Sequence, residues 1–320
     1  MPLITCKTTV SEGEKFMNNT EHFSRRDLMI YLLITFIPAY LIQVFAGTLY
    51  QRGNSSAGQL VLAAMMYIPA AAVLFTKDRW HKIGFRPNFR TNLRHYLCAW
   101  FLPAALTAAG ALLYFIVFPS HFDTSGSYIT VLAGADAIDQ LKAQGISYPL
   151  YILISAVSAL TYGPLINTFA AVGEEIGWRG FLYPQLKERF GVVRGVLLGG
   201  VIWGMWHWPL IALIGYEYGA AAGNRTPYLG TPVTGMILFC LCTVSFGILC
   251  DLLYEKSGSI WVPSLLHGAF NAVAALPLML CLSDTGSARL LGPAVNGLLS
   301  GLPLLILALY LLFRKNKTEK

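Results

Sequence analysis

Apolar positions in this chain run on rather than alternate, over lengths of about 20 residues, enough for a helix to cross the hydrocarbon of a bilayer. Eight such stretches stand out, at about 28–49, 57–76, 96–118, 149–172, 193–214, 233–254, 260–282 and 293–313. The pattern predicts an all-α fold, a polytopic membrane helical bundle of about eight transmembrane helices. A tail of residues 1–26 precedes a membrane-embedded domain of residues 27–320, with no internal repeat and no second soluble domain. The longest polar connection is 119–147, where Ile129 to Gln144 reads as a short surface helix. The 77–95 connection holds six Lys and Arg with Trp80, Phe85 and Phe89, and is expected to lie on the headgroup surface as a basic anchor.

Composition supports the membrane assignment. The chain is 55% hydrophobic and 12% charged, against roughly 25% charged in a soluble domain. If the N-terminus is cytoplasmic, 19 of the 23 Lys and Arg fall in inside segments and 4, Arg52, Lys142, Arg225 and Arg289, fall outside. That bias sets an orientation with both termini cytoplasmic. The net charge of +7 then reflects topology and attraction to anionic inner-leaflet lipids, and no nucleic-acid partner is expected.

About 26 mostly polar residues come before a first span long enough to stay in the membrane, so that span reads as a signal anchor rather than a cleaved leader. Five cysteines lie within spans and Cys6 in the tail, which gives no disulfide framework. Cys240-x-Cys242 is better read as packing than as a metal pair. The triplets Asn18-Asn19-Thr20 and Asn54-Ser55-Ser56 fit a glycosylation pattern without changing the argument.

Charge inside the apolar stretches is rare, and where it occurs it defaults to function. Glu174 and Glu175 sit in Gly173-Glu174-Glu175-Ile176-Gly177-Trp178-Arg179-Gly180. On a helix Glu175 and Arg179 share a face and pair. Glu174 points about 100° away and is left free, which suits a general base acting on water. Gly177 and Gly180 allow another backbone close.

His207 lies in Trp203-Gly204-Met205-Trp206-His207-Trp208-Pro209, with Trp203 one turn earlier on the same face. His267 and Asn271, spaced four apart, project to one side and could hold a developing oxyanion, or serve as polar glue between helices. If the helix of the two glutamates continues past Arg179 to about Arg189, with a kink at Pro184, Glu174 lies roughly 22 Å from that end. His207 and His267, roughly 21 and 18 Å along their own helices, then reach a common level.

The order Glu-Glu-x-x-x-Arg at 174–179, Trp-x-x-x-His at 203–207 and His-x-x-x-Asn at 267–271 resembles the CAAX-protease and bacteriocin-processing family of intramembrane proteases, also called Abi or lysostaphin-resistance-protein-A-like. The matching core covers about residues 150–280. The resemblance implies an intramembrane endopeptidase with a cavity open to the cytoplasmic side. Glu174 would activate water, with His207 helping to hold that water or a metal. His267 and Asn271 would stabilise the tetrahedral intermediate, while Glu175, Arg179 and Trp203 would support them. Trp203 stands where the family often has Phe.

By family classification a zinc or other divalent ion on Glu174, His207 and His267 is the expected cofactor, and a glutamate-activated water without metal uses the same side chains. No nucleotide and no haem are expected. A transporter, a bis-histidine haem protein and a non-catalytic membrane scaffold or regulator are the alternatives. The expected partners are a peptide or membrane-protein substrate and the bilayer, and the expected location is a bacterial plasma membrane.

Overall fold

The computed structural model describes residues 24–76, 80–219 and 227–318. The tail expected at 1–26 and the Asn18 triplet fall almost wholly outside the described residues. The helices are α1 (Arg25–Gln51), α2 (Ser55–Met65), α3 (Ile68–Val73), α4 (Phe89–Val117), α5 (Ser127–Ala133), α6 (Ala137–Ala143), α7 (Tyr148–Leu160), α8 (Gly163–Gly177), α9 (Tyr183–Phe190), α10 (Val192–Trp206), α11 (Trp208–Ile214), α12 (Val233–Ser257), α13 (Trp261–Val273), α14 (Leu276–Met279) and α15 (Leu302–Thr318). Among the described residues the only β pairing is an isolated bridge between Phe122 and Cys281.

Local chemistry sets several of these boundaries. Ser24, Asn54 and Ser147 cap α1, α2 and α7 by accepting from the backbone N–H three residues on. Proline opens α3, α7, α8, α9, α11 and α14, in the first turn where its missing N–H has no helical partner to lose.

The bundle is sided opposite to a soluble one. On α1 the stripe Asp27, Tyr31, Thr35, Ala39 and Gln43 is buried, whereas Met29, Leu33, Ile37 and Leu41 are exposed. A helix that hides its polar stripe and shows its leucines fits a hydrocarbon surround.

Among the described residues six helices or helix pairs are long and apolar enough to cross a membrane: 25–51, 55–73, 89–117, 192–214, 233–257 and 261–279. The pair 137–143 and 148–160 makes a seventh only if joined across an 88° bend. Two of the eight expected stretches therefore come out differently. The fourth breaks at Thr161–Tyr162, where Gly163-Pro164 starts a new helix. The eighth is helical only from Leu302, because the Gly- and Pro-containing stretch 292–301 forms turns.

The expected surface helix at 129–144 is two short helices, α5 and α6, parted at Gly134, whose φ of 106° suits glycine. The basic 77–95 connection is tucked in rather than merely surface-bound. Ile83 is fully buried, and the Gly84 carbonyl accepts from Ile260 N. A Cβ at Gly84 would come within 2.3 Å of the Gly258 carbonyl oxygen. The described cysteines are all free.

Candidate active site

The glutamates sit on a helical run that does continue to Phe190. α8 passes through one π turn, Trp178–Leu182, into α9. Pro184 lacks the N–H that the Gly180 carbonyl would accept, and the ladder widens in the turn before it, as it does at many functional sites. Glycines let this run press against its neighbours. A Cβ on Gly173 would lie 2.7 Å from the Met66 carbonyl oxygen, and one on Gly177 would lie 2.3 Å from Pro69 and 2.6 Å from the Tyr31 hydroxyl.

Adjacent on this run, the two carboxylates face different partners. Glu175 is fully buried; its Oε1 accepts from Arg179 Nη1 at 3.0 Å and from His267 Nδ1 at 2.8 Å. The Glu175–Arg179 pair expected from spacing is present and also reaches across to α13. Because a carboxylate accepts, the Nδ1 of His267 carries the hydrogen and Nε2 is the open nitrogen.

Glu174, 2% exposed, is not free of partners as the sequence spacing implied. Its Oε2 accepts from the indole of Trp178 at 3.0 Å and from that of Trp203 at 2.7 Å. Among the described residues Oε1 takes no hydrogen bond and remains the oxygen available to water. Trp178 escaped the sequence reading, although it lies four residues after Glu174, the spacing that paired Glu175 with Arg179.

Trp203 is the hub. Its ring centroid is 5.3 Å from that of His267, edge-on, and the Arg179 guanidinium carbon sits 4.4 Å from it. Tyr183 takes the same guanidinium at 4.7 Å. The Trp203 carbonyl accepts from His207 Nδ1 at 3.0 Å, which again leaves Nε2 open.

Glu174, His207 and His267 are therefore brought into one neighbourhood. Asn271, one turn beyond His267, is exposed and forms no hydrogen bond with them among the described residues. His207 is half-buried, whereas Glu174, Glu175 and His267 are buried.

Among the described residues no three His, Cys, Asp or Glu side chains are gathered as ligands for an ion. One oxygen of Glu174 already accepts from two N–H donors, which leaves its Oε1 and the Nε2 atoms of His207 and His267 as the atoms that would hold an ion.

Residues 149–273 match the family described as Type II CAAX prenyl endopeptidase Rce1-like. This segment is similar to the CAAX-protease family. It spans α7 to α13 and contains Glu174, Glu175, Arg179, Trp203, His207, His267 and Asn271. The chain is also similar to CAAX prenyl protease 2 of Methanococcus maripaludis, with 30% identity over 84 residues. That alignment covers 20% of this chain and 31% of the relative, so the chain spans about a third of the length of the curated relative it matches. The helices α1 to α4, which pack against α8, α11 and α13 of the matched segment, lie outside the family match.

Proposed function

We propose that this multi-pass membrane protein is an intramembrane endopeptidase that hydrolyses peptide bonds with a water activated by Glu174. The observation that carries the reading is the pinned state of all three groups. Two indoles hold Glu174 by one oxygen, while His207 and His267 are each fixed through Nδ1 with Nε2 open.

In this reading Glu174 Oε1 takes a proton from water as the water oxygen attacks the substrate carbonyl carbon. The lone pair of His207 Nε2 accepts the water's other hydrogen and aims it. His267, backed by the Glu175 carboxylate, donates from Nε2 to the oxyanion when it carries a second proton. Asn271 supplies an amide donor from the open side. Collapse of the tetrahedral intermediate breaks the C–N bond, and the proton held by Glu174 passes to the departing amine. Arg179 neutralises Glu175 and is clamped between Trp203 and Tyr183.

The substrate of this reading is a peptide, or a segment of a membrane protein, that comes to the site from the cytoplasmic leaflet of a plasma membrane, a side supported by the Lys and Arg bias along the chain. Because that relative is a CAAX prenyl protease, prenylated C-terminal peptides are one probe to include. The test compares the peptides and membrane-protein fragments that accumulate in cells with the wild type, Glu174→Ala and His207→Ala. Both variants should lose the same set of wild-type cleavage products. Three identical fragment profiles, under conditions where the protein is needed, would remove the protease reading.

A further inference from the structure

Outside the family-matched segment, α1 carries a side chain set into the helix that bears His207. Pro209 has no N–H, so the Met205 carbonyl four residues earlier loses its helical donor, and the proline ring pushes the ladder open. The hydroxyl of Tyr40 on α1 takes that carbonyl at 2.8 Å. In the next rung Leu210 N would ordinarily donate to the Trp206 carbonyl. Instead Leu210 N is shared between the His207 carbonyl at 3.1 Å and Gln43 Oε1 at 3.2 Å, and Gln43 Nε2 donates to the Trp206 O so released at 2.7 Å. Gln43 is fully buried, and the Trp206 indole donates back to Thr35 O on the same α1 stripe at 3.1 Å.

The opened rung reaches the site through the backbone. With α10 ending at Trp206, His207 N donates to Gly204 O at 3.0 Å rather than to Trp203 O. The carbonyl of Trp203 is thereby released, and it is this carbonyl that accepts His207 Nδ1 at 3.0 Å. A regular helix would use the Trp203 carbonyl for the main chain and leave the imidazole without its anchor.

The geometry points to Gln43 as a positioning residue: its amide, inserted between the Trp206 carbonyl and the Leu210 N–H, holds the break that anchors His207 through Nδ1 and turns Nε2 to the site. The catalytic consequence rests on the proposed peptidase reading; the effect on His207 does not.

Gln43→Met keeps length and apolar volume and removes both hydrogen bonds. Histidine-15N-labelled protein in detergent micelles reports which ring nitrogen is protonated, with the His207 signals identified by their loss in His207→Ala. Wild type should show His207 protonated at Nδ1, and Gln43→Met should show a mixture of tautomers. On a peptide substrate, kcat should fall about tenfold, as for other residues that orient an active-site histidine, with KM unchanged.

An unaltered His207 signature in Gln43→Met overturns the proposal, as does a turnover equal to wild type. A shifted signature in a protein that cleaves nothing, wild type included, would support the Gln43 role while removing the peptidase. If Gln43→Met does not fold, Tyr40→Phe, which removes only the donor to Met205 O, carries the same two measurements and should move both less far.

Discussion

The Trp203 indole donates to Glu174 Oε2 at 2.7 Å while the Arg179 guanidinium carbon lies 4.4 Å from the same ring. One side chain thus touches both charges of the site, a carboxylate through its edge and a cation through its face. Trp203→Phe keeps the face and deletes the edge donor, and Trp178 still holds Glu174 at 3.0 Å. A hydrogen bond to a charged group contributes about 1.5–3 kcal/mol, so turnover should fall roughly tenfold with the fold intact. The double variant Trp178→Phe/Trp203→Phe should lose more than the product of the single effects, because only then is Glu174 unpinned. Wild-type turnover in the double variant would show that Glu174 needs neither indole.

The two glutamates should separate chemistry from stability. Glu174→Gln is nearly isosteric and cannot take a proton from water, so turnover should drop by at least about 100-fold, with a thermal midpoint close to wild type. Glu175→Gln leaves the fully buried Arg179 without a carboxylate. That should cost about 3–5 kcal/mol and lower the midpoint clearly, with turnover falling because His267 loses its charged anchor. Parallel melts and kinetics on the two variants check this; a stable, inactive Glu175→Gln beside an unstable, active Glu174→Gln would exchange the roles.

What the sequence made legible follows from which interactions are local. The Glu175–Arg179 pair, four residues apart on one helix, was readable from spacing alone, and so was the extension of that helix to Phe190. Trp178 was equally local and went unread, because an indole is easily taken for packing rather than for a donor. The bonds His267 to Glu175 and Trp203 to Glu174 join residues 92 and 29 positions apart, and no spacing rule reaches across helices. The break at Thr161–Tyr162 hid in an unbroken apolar run, because hydropathy does not register a Gly-Pro start within it. Gln43 was invisible for a related reason: a single polar residue in a span reads as tolerated until its partners, the Trp206 carbonyl and the Leu210 N–H, are seen.

Metal removal tests the donor geometry directly. Open catalytic zinc sites use three converging protein ligands, and here Glu174 Oε2 is committed to two indoles while no three acidic, His or Cys side chains converge among the described residues. Dialysis against a chelator should leave peptide turnover within about twofold of the untreated protein, a change of under 0.5 kcal/mol in the barrier. Loss of activity that zinc restores would require Glu174, His207 and His267 to close around an ion on substrate binding.

Far along the same helical run, Lys187 ties α9 to α12. Its Nζ lies 2.7 Å from Asp251 Oδ1 and 2.8 Å from Glu255 Oε1, and the Asp251 side chain is only 2% exposed. Lys187→Met takes the ammonium away from a buried carboxylate, which should cost up to about 3 kcal/mol; adding Asp251→Asn should recover part of it, since the buried charge is then gone. Burial alone would push the Lys187 ammonium down, but Asp251 and Glu255 more than offset this and hold it above the ordinary lysine value. A raised folded value means that the stabilisation is fully present below the ordinary lysine range, about 10.4, and is lost as pH climbs through the raised one. Melts of wild type and Lys187→Met should therefore differ by a constant amount from about pH 6 to pH 9 and converge only above about pH 10.4. Convergence already near neutral pH would mean that the ammonium is not held by the two carboxylates.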